Sequence, residues 1–580
     1  MWRLPYIRLL SDNSPPEGRK PAMSTGFHPD AEVGRHESVD LATGFVPFPS
    51  DRADSYRRAG YWAGLPLDSI LREAAQRWPD RCGIADARVS YTFAEFDALA
   101  DRIAGGLIDL GFVAGDRALL QLPNSCQFAL ALFGLLRAGV VPVLCLPGHR
   151  IAELGHFADV SGAVGMIITD KAGGFDYREM ATALVRERPQ LTRVLVDGDP
   201  GDFRAWSDVA NRAGQDVPAN PAPDPGLPAL LLVSGGTTGL PKLIARTHDD
   251  YRYNASACAA AYGMTGDDAY LVVLPAGHNF PLACPGLLGA MTVGARTVFT
   301  DDPSPEAAFA LIDRHQVTVT GLVNALATLW AQACDWEPVL PTSLRVVQVG
   351  GSRLLPDEAR FIRQNLTAGM QQIFGMAEGM LNFTRPGDPA DVVDNVQGRP
   401  MSPADEMKVV DENGAEVAPG EEGELLVRGP YTINGYYRAD EANARSFSPD
   451  GFYRSGDRVR IFADGPRAGY VEVTGRIKDV IHRGGETVSA SDLEEHLHAH
   501  PAVADAAAVA LPDQYLGEKI CAAVVFKGAP VTLAELNGFL DGRGVSVHAK
   551  PDVLEAMRSL PKTAVGKVDK KQIVVSLTQA

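Results

Sequence analysis

The chain contains 580 residues, of which 46% are hydrophobic and 22% are charged, and its formal net charge is −18. These fractions are those of a folded globular protein, because a disordered chain carries more charge and fewer apolar residues. The length predicts roughly three or four structural units. The acidic excess argues against nucleic acid as the main partner, since phosphate backbones are bound by clustered Lys and Arg. A small anionic substrate held by local cations remains compatible with this charge.

Seven cysteines are scattered along the chain, without a CxxC pair or His residues at zinc-binding spacing. This pattern predicts reduced thiols in a cytoplasmic protein rather than a disulfide framework or a zinc site. The longest apolar stretch, residues 128–146, contains Gly134, Arg137, Gly139 and Pro142. We therefore expect a core helix followed by a buried strand, and no membrane association or secretory signal.

The predicted elements alternate between helices and strands over most of the chain. Residues 1–41 are predicted to form a flexible tail. A helical pattern over residues 93–110 is followed by apolar strand-like runs at residues 118–122, 229–233 and 297–299. The alternation of helical and apolar segments indicates α/β architecture with a parallel component.

A turn-rich segment at residues 463–469 lies near a change of pattern. Beyond it, a helix-like segment and two apolar runs indicate a small α+β unit. We predict an α/β fold with a large N-terminal body of several subdomains over residues 42–476. A small mobile C-terminal α+β lid is predicted over residues 477–580, joined to the body near Lys478.

The most informative segment, SGGTTGLPK at residues 234–242, follows a predicted buried strand. Its glycines let the backbone approach an anion, its hydroxyls add donors, and Lys242 adds positive charge, so the segment suits phosphate binding. It is not a Walker A loop, because Leu243 stands where that loop has the magnesium-binding Ser or Thr. By itself the pattern is also that of a tight turn after a strand.

Five further motifs follow this loop in a fixed order. They are FGMAE at residues 374–378, GELLVRG at 423–429, YRSGD at 453–457, GRIKD at 475–479 and PKTAVGK at 561–567. In these motifs and their order, residues from about 45 to 580 resemble the adenylate-forming superfamily of acyl-CoA synthetases, peptide-synthetase adenylation domains and beetle luciferases. The resemblance implies that ATP and a carboxylic acid form an acyl adenylate with release of pyrophosphate, and that a thiol then takes the acyl group.

The resemblance also implies a role for individual residues. Glu378 is expected to hold Mg²⁺, Asp457 to accept hydrogen bonds from the ribose hydroxyls, and Arg476 to lie near ribose and phosphates. Lys567, on the lid, is expected to reach the substrate carboxylate and the α-phosphate, and Lys478 is the expected hinge. The remaining expected ATP-binding residues are Ser234, Gly235, Gly236, Thr237, Thr238, Lys242, Gly351, Ile373, Gly375, Met376 and Ala377.

One segment indicates which class of carboxylic acid is the substrate. Residues 274–286 read LPAGHNFPLACPG, and their His-Asn pair, aromatic residue and Pro-Leu resemble the stand-alone aryl-acid adenylating enzymes of siderophore pathways. In that group the amide at Asn279 recognises the ortho hydroxyl of a 2-hydroxybenzoate. Phe280 stands where many members have Tyr. The expected acid-binding residues are His278, Asn279, Phe280, Cys284, Gly351, Ala377 and Leu381, with His278, Glu378 and Lys567 as the catalytic set.

Cys284 and Leu381 distinguish between two candidate acids. Enzymes of this group that use 2,3-dihydroxybenzoate typically have Ser and Val at these positions. Cys is a weak hydrogen-bonding group and Leu is bulkier than Val, so a 3-hydroxyl would find less room and fewer partners. Because an apolar wall rejects an added hydroxyl by only about 10²-fold, we expect salicylate to be preferred, with some use of 2,3-dihydroxybenzoate.

The acceptor implied by this resemblance is the phosphopantetheine thiol of an aryl carrier domain of a peptide synthetase, in siderophore synthesis of the mycobactin type. No segment of carrier size follows Lys567, so the carrier is expected on a separate chain. Three alternatives remain: a 2,3-dihydroxybenzoate-AMP ligase, an aryl-CoA ligase that uses CoA, and a silent protein that only binds a nucleotide or aromatic acid. Retention of Glu378, Asp457 and Lys567 argues against the last of these.

Overall fold

The computed structural model describes residues 40–211, 223–234, 241–367, 369–477, 479–483, 486–513, 516–543, 545–563 and 566–579. The predicted tail therefore lies almost entirely outside the described residues. So do Gly235, Gly236, Thr237 and Thr238 of the predicted phosphate loop and the predicted hinge Lys478.

The first part of the chain contains α1 (Ser50–Arg58), α2 (Ser69–Arg77), β1 (Cys82–Ala85), β2 (Ser90–Thr92), α3 (Phe93–Asp109), β3 (Arg117–Gln121), α4 (Cys126–Arg137), β4 (Val141–Leu144), α5 (Ile151–Ser161), β5 (Gly165–Thr169), β6 (Lys171–Ala172), β7 (Phe175–Asp176), α6 (Tyr177–Glu187), β8 (Arg193–Asp197), β9 (Arg204–Ala205) and α7 (Trp206–Ala210). The central part contains β10 (Pro228–Val233), β11 (Leu243–Thr247), α8 (His248–Tyr262), β12 (Ala269–Val272), α9 (Asn279–Ala283), α10 (Gly286–Thr292), β13 (Arg296–Phe299), α11 (Pro305–His315), β14 (Val319–Val323), α12 (Asn324–Ala333), β15 (Val346–Gly350), α13 (Pro356–Asn365), β16 (Met370–Gly375), β17 (Leu381–Phe383), α14 (Ala390–Asn395) and β18 (Arg399–Pro400). The last part contains β19 (Glu406–Val410), β20 (Glu422–Arg428), α15 (Asp440–Ser446), β21 (Tyr453–Ile461), β22 (Val471–Arg476), β23 (Val480–Arg483), β24 (Glu486–Ser489), α16 (Ala490–His498), β25 (Val503–Asp513), β26 (Gly517–Phe526), α17 (Leu533–Gly542), β27 (Val553–Ala556) and α18 (Lys570–Thr578).

Two large sheets with mainly parallel pairings form the body. One has seven strands in the order β11-β10-β4-β3-β5-β8-β9, and the other has nine in the order β18-β17-β16-β15-β14-β12-β13-β1-β2. Every residue of β3, β4 and β5 is buried, because helices cover both faces. The mixed α/β fold predicted from the sequence is confirmed, and α3, β3, β10 and β13 begin and end within one residue of their predicted bounds.

The helix that follows β2 shows how local sequence sets these bounds. The hydroxyl of Thr92 accepts a hydrogen bond from the Glu95 N–H, and the Glu95 carboxylate accepts one from the Thr92 N–H. This reciprocal capping satisfies backbone donors that the first turn of a helix otherwise leaves unpaired. Helix α3 therefore begins directly after a three-residue strand.

A four-stranded antiparallel sheet, β19-β20-β21-β22, completes the body. The turn-rich segment at residues 463–469 connects β21 to β22 within this sheet, so the sheet does not change there. It changes after Arg476, because β23 begins at Val480 and belongs to a separate five-stranded sheet with its own apolar core. Within the described ranges no helix is long and apolar enough to cross a membrane.

The carboxyl ends of several strands carry the residues singled out in the sequence. Strand β10 leads into Ser234, β12 leads toward His278, β15 ends at Gly350 and β16 ends three residues before Glu378. In open α/β sheets ligands bind in the crevice beyond the carboxyl ends of parallel strands. The topology therefore brings the segments after β12, β15 and β16 to one edge of the nine-stranded sheet, whereas Ser234 follows a strand of the seven-stranded sheet.

Candidate active site

The base of the predicted phosphate loop is closed by two hydrogen bonds. The Ser234 N–H donates to the Lys242 carbonyl over 2.9 Å, and the Lys242 N–H donates to Ser234 Oγ over 2.9 Å. The Lys242 ammonium lies 5.1 Å from the centre of the Tyr436 ring. A cation is attracted by the electron-rich face of an aromatic ring, so Tyr436 holds Lys242 on the side of the loop that faces Glu378.

Tyr436 also contacts the predicted metal ligand. Its hydroxyl donates to Glu378 Oε1 over 2.8 Å and lies 3.0 Å from the Tyr453 hydroxyl. Burial raises the pKa of Tyr436 well above its ordinary value, and the Glu378 carboxylate raises it further. The phenol therefore remains a donor and orients the carboxylate, which is 8% exposed.

The turn that carries Glu378 has an unusual backbone. Gly379 has φ +122° and Met380 has φ +57°, and a Cβ added to Gly379 would collide with Thr432 Cα. The Glu378 carbonyl accepts a hydrogen bond from the Ile433 N–H over 2.8 Å. A left-handed non-glycine residue costs of order 1 kcal/mol, so the segment at residues 431–433 holds this turn in a conformation it would not keep alone.

A buried arginine joins these two segments. The Arg246 guanidinium donates to Asp250 Oδ1 over 2.8 Å, to the Ala377 carbonyl over 2.9 Å and to the Tyr431 carbonyl over 3.0 Å. Arg246 and Asp250 are both 0% exposed. Asp250 additionally accepts hydrogen bonds from the N–H and hydroxyl of Thr247, at the start of α8. The charge pair is thus desolvated, matched and fully hydrogen-bonded, which is the condition under which a buried pair is tolerated.

The predicted ribose-binding and lid residues lie together. Asp457 and Arg476 are direct partners on β21 and β22, and Arg476 Nε lies 2.9 Å from Asp457 Oδ1. A Cβ built on Gly351 would lie 4.0 Å from Lys567 Cε, which places the lid lysine over the end of β15. The Thr563 N–H donates to the Lys567 carbonyl over 2.7 Å, closing the turn that presents the lysine.

Electrostatic interactions confirm that these groups are neighbours. Burial lowers the pKa of Lys567 and Arg476 lowers it further, whereas the carboxylates of Asp457 and Glu378 raise it. Burial raises the pKa of Asp457, against the effect of Arg476 and Lys567. Two acidic and two basic side chains therefore lie together. Asp457 is buried, Lys567 is partly buried and Arg476 is more than half exposed, and burial favours the neutral form of both Asp457 and Lys567.

The predicted acid-binding segment forms a short helix with a side-chain cap. His278 Nδ1 accepts a hydrogen bond from the Phe280 N–H over 3.2 Å at the start of α9. Burial, assisted by the nearby positive charge of Lys567, lowers the pKa of His278 to about 4. The imidazole is therefore neutral at physiological pH, and its Nδ1 is occupied by the cap.

The Asn279 amide is fixed by two neighbours. Its Oδ1 accepts a hydrogen bond from the Tyr251 hydroxyl over 2.9 Å, and its Nδ2 donates to Cys284 Sγ over 3.4 Å. Burial raises the pKa of Tyr251, so the phenol stays protonated and can donate to the carbonyl end of the amide, which faces it. The amide NH₂ group therefore faces Cys284.

The wall of the candidate acid pocket is one apolar cluster. It comprises Cys258, Phe280, Cys284, Ile373, Leu381, Phe383, Met401 and Tyr431. A Cβ on Gly321 would lie 3.1 Å from the Phe280 ring, and one on Gly375 would collide with the Leu381 side chain. These glycines are required because aromatic and aliphatic side chains lie directly over their backbone. All seven cysteines of the chain are free thiols, including the two in this wall.

Comparisons with known proteins identify the family of the chain. The family model for AMP-binding enzymes matches residues 71–437, and the model for the C-terminal domain of these enzymes matches residues 492–567. The chain belongs to the AMP-binding enzyme family. It is 64% identical to the salicyl-AMP ligase / salicyl-S-ArCP synthetase of Mycobacterium tuberculosis, over 95% of this chain and 97% of that protein.

Two further members of the family are similar over nearly their whole length. The chain is 43% identical to the 2,3-dihydroxybenzoate-AMP ligase of Bacillus subtilis, over 93% of this chain and 98% of that one. The apo structure of MbtA from Mycobacterium smegmatis superimposes with a TM-score of 0.74 at 63% identity, covering 93% of this chain and 100% of that one.

Within this family fold, the described candidate residues divide into two adjoining groups. One group comprises residues that the sequence assigns to the nucleotide, namely Lys242, Glu378, Asp457, Arg476 and Lys567. The other is the pocket-wall cluster, which contains residues that the sequence assigns to the acid. Met376 and Ala377 are partly buried in the segment between them. The sequence interpretation missed Arg246, Tyr431 and Tyr436. The available signals were an arginine in an apolar strand with an aspartate four residues later, and tyrosines beside a conspicuous Gly-rich motif.

The Arg246→Lys variant is expected to lower the free energy of unfolding by about 2–3 kcal/mol, because an ammonium cannot reproduce the planar set of donors to Asp250, Ala377 and Tyr431. Urea unfolding would measure the loss. The matched control is Arg252→Lys on α8, whose pair with Glu73 is partly exposed and is expected to contribute less than about 1 kcal/mol. Equal losses in the two variants would contradict the role assigned to Arg246.

Acidification is expected to destabilise the wild type more than the His278→Gln variant. The pKa of His278 is about 4 in the folded protein against an ordinary 6.5, so between these values only the unfolded chain binds the proton. The stability contributed by the neutral imidazole is complete above pH 6.5 and is lost toward pH 4, by at most about 1.4 kcal/mol per pH unit. Urea unfolding of both proteins over this range measures the difference, and parallel pH profiles would refute it.

Proposed function

We propose that this protein activates salicylate with ATP to salicyl-AMP, releasing pyrophosphate, and then transfers the salicyl group to the phosphopantetheine thiol of an aryl carrier domain. The observation that carries the proposal is the Asn279 amide, which Tyr251 orients so that its NH₂ group faces the pocket wall at Cys284. An amide N–H held in this way can donate to the phenolic oxygen of a 2-hydroxybenzoate. Identity of 64% to the mycobacterial salicyl-AMP ligase supports the same acid.

The first half-reaction joins two anions. A carboxylate oxygen of salicylate forms a bond to the α-phosphorus of ATP, the bond from that phosphorus to the bridging oxygen breaks, and pyrophosphate leaves with the electron pair. The cations Lys242, Arg476 and Lys567 are available to neutralise the phosphates and the carboxylate. Asp457 can accept hydrogen bonds from the ribose hydroxyls.

Glu378 is the residue proposed to hold Mg²⁺. Its buried carboxylate keeps one oxygen on Tyr436 and has a second oxygen for a cation. Among the described residues no group of three or more His, Cys, Asp or Glu could hold a metal ion. A single carboxylate suits Mg²⁺, which proteins commonly bind through one or two carboxylates while phosphate oxygens and water complete the coordination. When bound, the ion would neutralise phosphate charge.

The second half-reaction is proposed to need movement of the lid, residues 477–580, about Lys478. Lys567 occupies the site in this arrangement, and Arg353 Nη1 of the body lies 2.9 Å from Glu495 Oε2 of α16. A thiol must reach the acyl carbon, so the lysine has to leave after adenylation. We propose that the carrier is a separate chain and that the protein is cytoplasmic, where its free thiols remain reduced.

Exchange of labelled pyrophosphate into ATP tests which carboxylic acid the protein activates. Salicylate is expected to support faster exchange than 2,3-dihydroxybenzoate, by up to about 10²-fold, because Leu381 restricts the space for a 3-hydroxyl and Cys284 bonds it weakly. The paired variant Cys284→Ser, Leu381→Val is expected to raise the use of 2,3-dihydroxybenzoate. Benzoate serves as the control without an ortho hydroxyl. Better use of the catechol acid by the wild type would reassign the enzyme to the 2,3-dihydroxybenzoate alternative.

The Lys567→Ala variant is expected to lose about 10²-fold or more of salicylate-dependent pyrophosphate exchange, because a charge positioned at the reacting groups is removed. The fold of this variant should be intact. The matched control is Lys562→Ala on the same segment, because Lys562 pairs with the partly exposed Asp505. Supplied salicyl-AMP should still be converted to thioester by Lys567→Ala. Assaying that step with CoA beside a loaded carrier domain separates the carrier-dependent enzyme from the aryl-CoA ligase alternative.

A further inference from the structure

The pocket wall residue Leu381 is held by a hydroxyl group from a distant segment. The Leu381 N–H donates to Tyr431 Oη over 3.0 Å, and Tyr431 is 0% exposed. The carbonyl of Tyr431 is held in turn by Arg246. Both ends of this tyrosine are therefore fixed, and its hydroxyl sets the position of the first residue of β17.

The Tyr431 hydroxyl is itself held by the carboxylate of Asp405. Its hydroxyl donates to Asp405 Oδ2 over 2.6 Å, and the same oxygen accepts the Ser402 N–H over 3.0 Å. Asp405 Oδ1 is inaccessible to solvent and has no hydrogen-bond partner among the described residues. A Cβ on Gly429 would lie only 2.5 Å from this oxygen, so the carboxylate is packed against backbone. A desolvated carboxylate oxygen without a partner is costly, and this cost favours the protonated form of Asp405.

The segment before Asp405 contacts helix α8. Ser402 Oγ lies 2.7 Å from the Tyr253 hydroxyl, and the Tyr253 ring packs on Tyr431 with centroids 6.1 Å apart. Met401 Sδ lies 3.0 Å from Cys258 Sγ, and both residues belong to the pocket-wall cluster. The segment at residues 401–405 therefore links α8 to Tyr431.

We propose that Asp405 is a positioning residue for acid selection, which acts through the Tyr431 hydroxyl to hold Leu381 against the space that a 3-hydroxyl would occupy. The proposal rests on the proposed function, because it assigns Leu381 to the acid pocket. An ionised Asp405 draws the Tyr431 proton and makes the phenolic oxygen a better acceptor for the Leu381 N–H, since linked hydrogen bonds polarise one another. A protonated Asp405 is a weaker acceptor and holds the wall less firmly.

Protonation of Asp405 falls in an accessible pH range. Burial raises its pKa to about 7, against the hydrogen bonds from Tyr431 and Ser402. The titratable groups that interact with it are Tyr431, Tyr253, Cys258 and Tyr56, and burial raises the pKa of each, so all four stay neutral near pH 7. Charged groups farther out, around Tyr56, are Arg52, Glu406 and Arg428. Asp405 is thus the group of this set that changes charge between pH 6 and 8.

The test is the pH dependence of acid selectivity. The ratio of kcat/KM for salicylate to that for 2,3-dihydroxybenzoate, from pyrophosphate exchange, is expected to rise about five-fold to ten-fold from pH 6 to 8 in the wild type. Both acids share ATP, Lys567 and His278, so the ratio cancels titrations of those groups. In Tyr431→Phe and Asp405→Asn the ratio is expected to be low and independent of pH, while KM for ATP changes by less than about two-fold.

Ser402→Ala is the matched control, because it removes the contact with Tyr253 but keeps the backbone N–H that donates to Asp405; its ratio should follow the wild type. A flat wild-type profile, or variants that keep the wild-type ratio and profile, would overturn the proposal. The wild-type profile needs no variant, so an unstable variant does not remove the test. Absence of exchange with either acid in the wild type would instead overturn the proposed function, and this inference with it.

Discussion

The buried ion pair of Arg246 and Asp250 is the interaction on which the rest of the site depends. Through one planar group it fixes the carbonyl of Ala377, next to the proposed metal ligand Glu378, and the carbonyl of Tyr431, which leads to the acid-pocket wall. Five donors in a rigid arrangement allow a guanidinium to serve three acceptors at once, and an ammonium cannot do this. A single side chain therefore fixes both the segment that carries the proposed metal ligand and the segment that leads to the proposed acid pocket.

Local sequence was sufficient for the strands and for the residues within motifs. Strands buried on both faces are continuous apolar runs, which is why β10 and β13 were predicted to within a residue, and Glu378, Asp457 and Lys567 lie in short motifs of their own. Arg246 could not be assigned in this way. Its carbonyl partners lie 131 and 185 residues further along the chain, and no local pattern encodes such a contact.

The turn at Glu378 shows why the sequence predicts which residues form the site but not their backbone conformation. Two successive residues with positive φ, one of them Met380, are maintained by packing of Gly379 on Thr432 and by the hydrogen bond from Ile433. The sequence shows a glycine and a methionine, and methionine gives no indication of a left-handed backbone. The loop after β20, at residues 431–433, packs against the turn and holds this conformation, so it follows from tertiary structure.

The charges around Lys567 explain why a lysine from the C-terminal part of the chain suits the proposed adenylation reaction. Asp457 and Glu378 balance Arg476 and Lys567, and burial pushes both Lys567 and Asp457 toward their neutral forms. A nucleotide and a carboxylate would add negative charge to this space and favour the charged lysine. Placement of Lys567 and binding of the substrates therefore stabilise each other, and by linkage the coupling acts in both directions. Once pyrophosphate leaves, part of that negative charge leaves with it, and Lys567 loses part of the interaction that offset its partial desolvation.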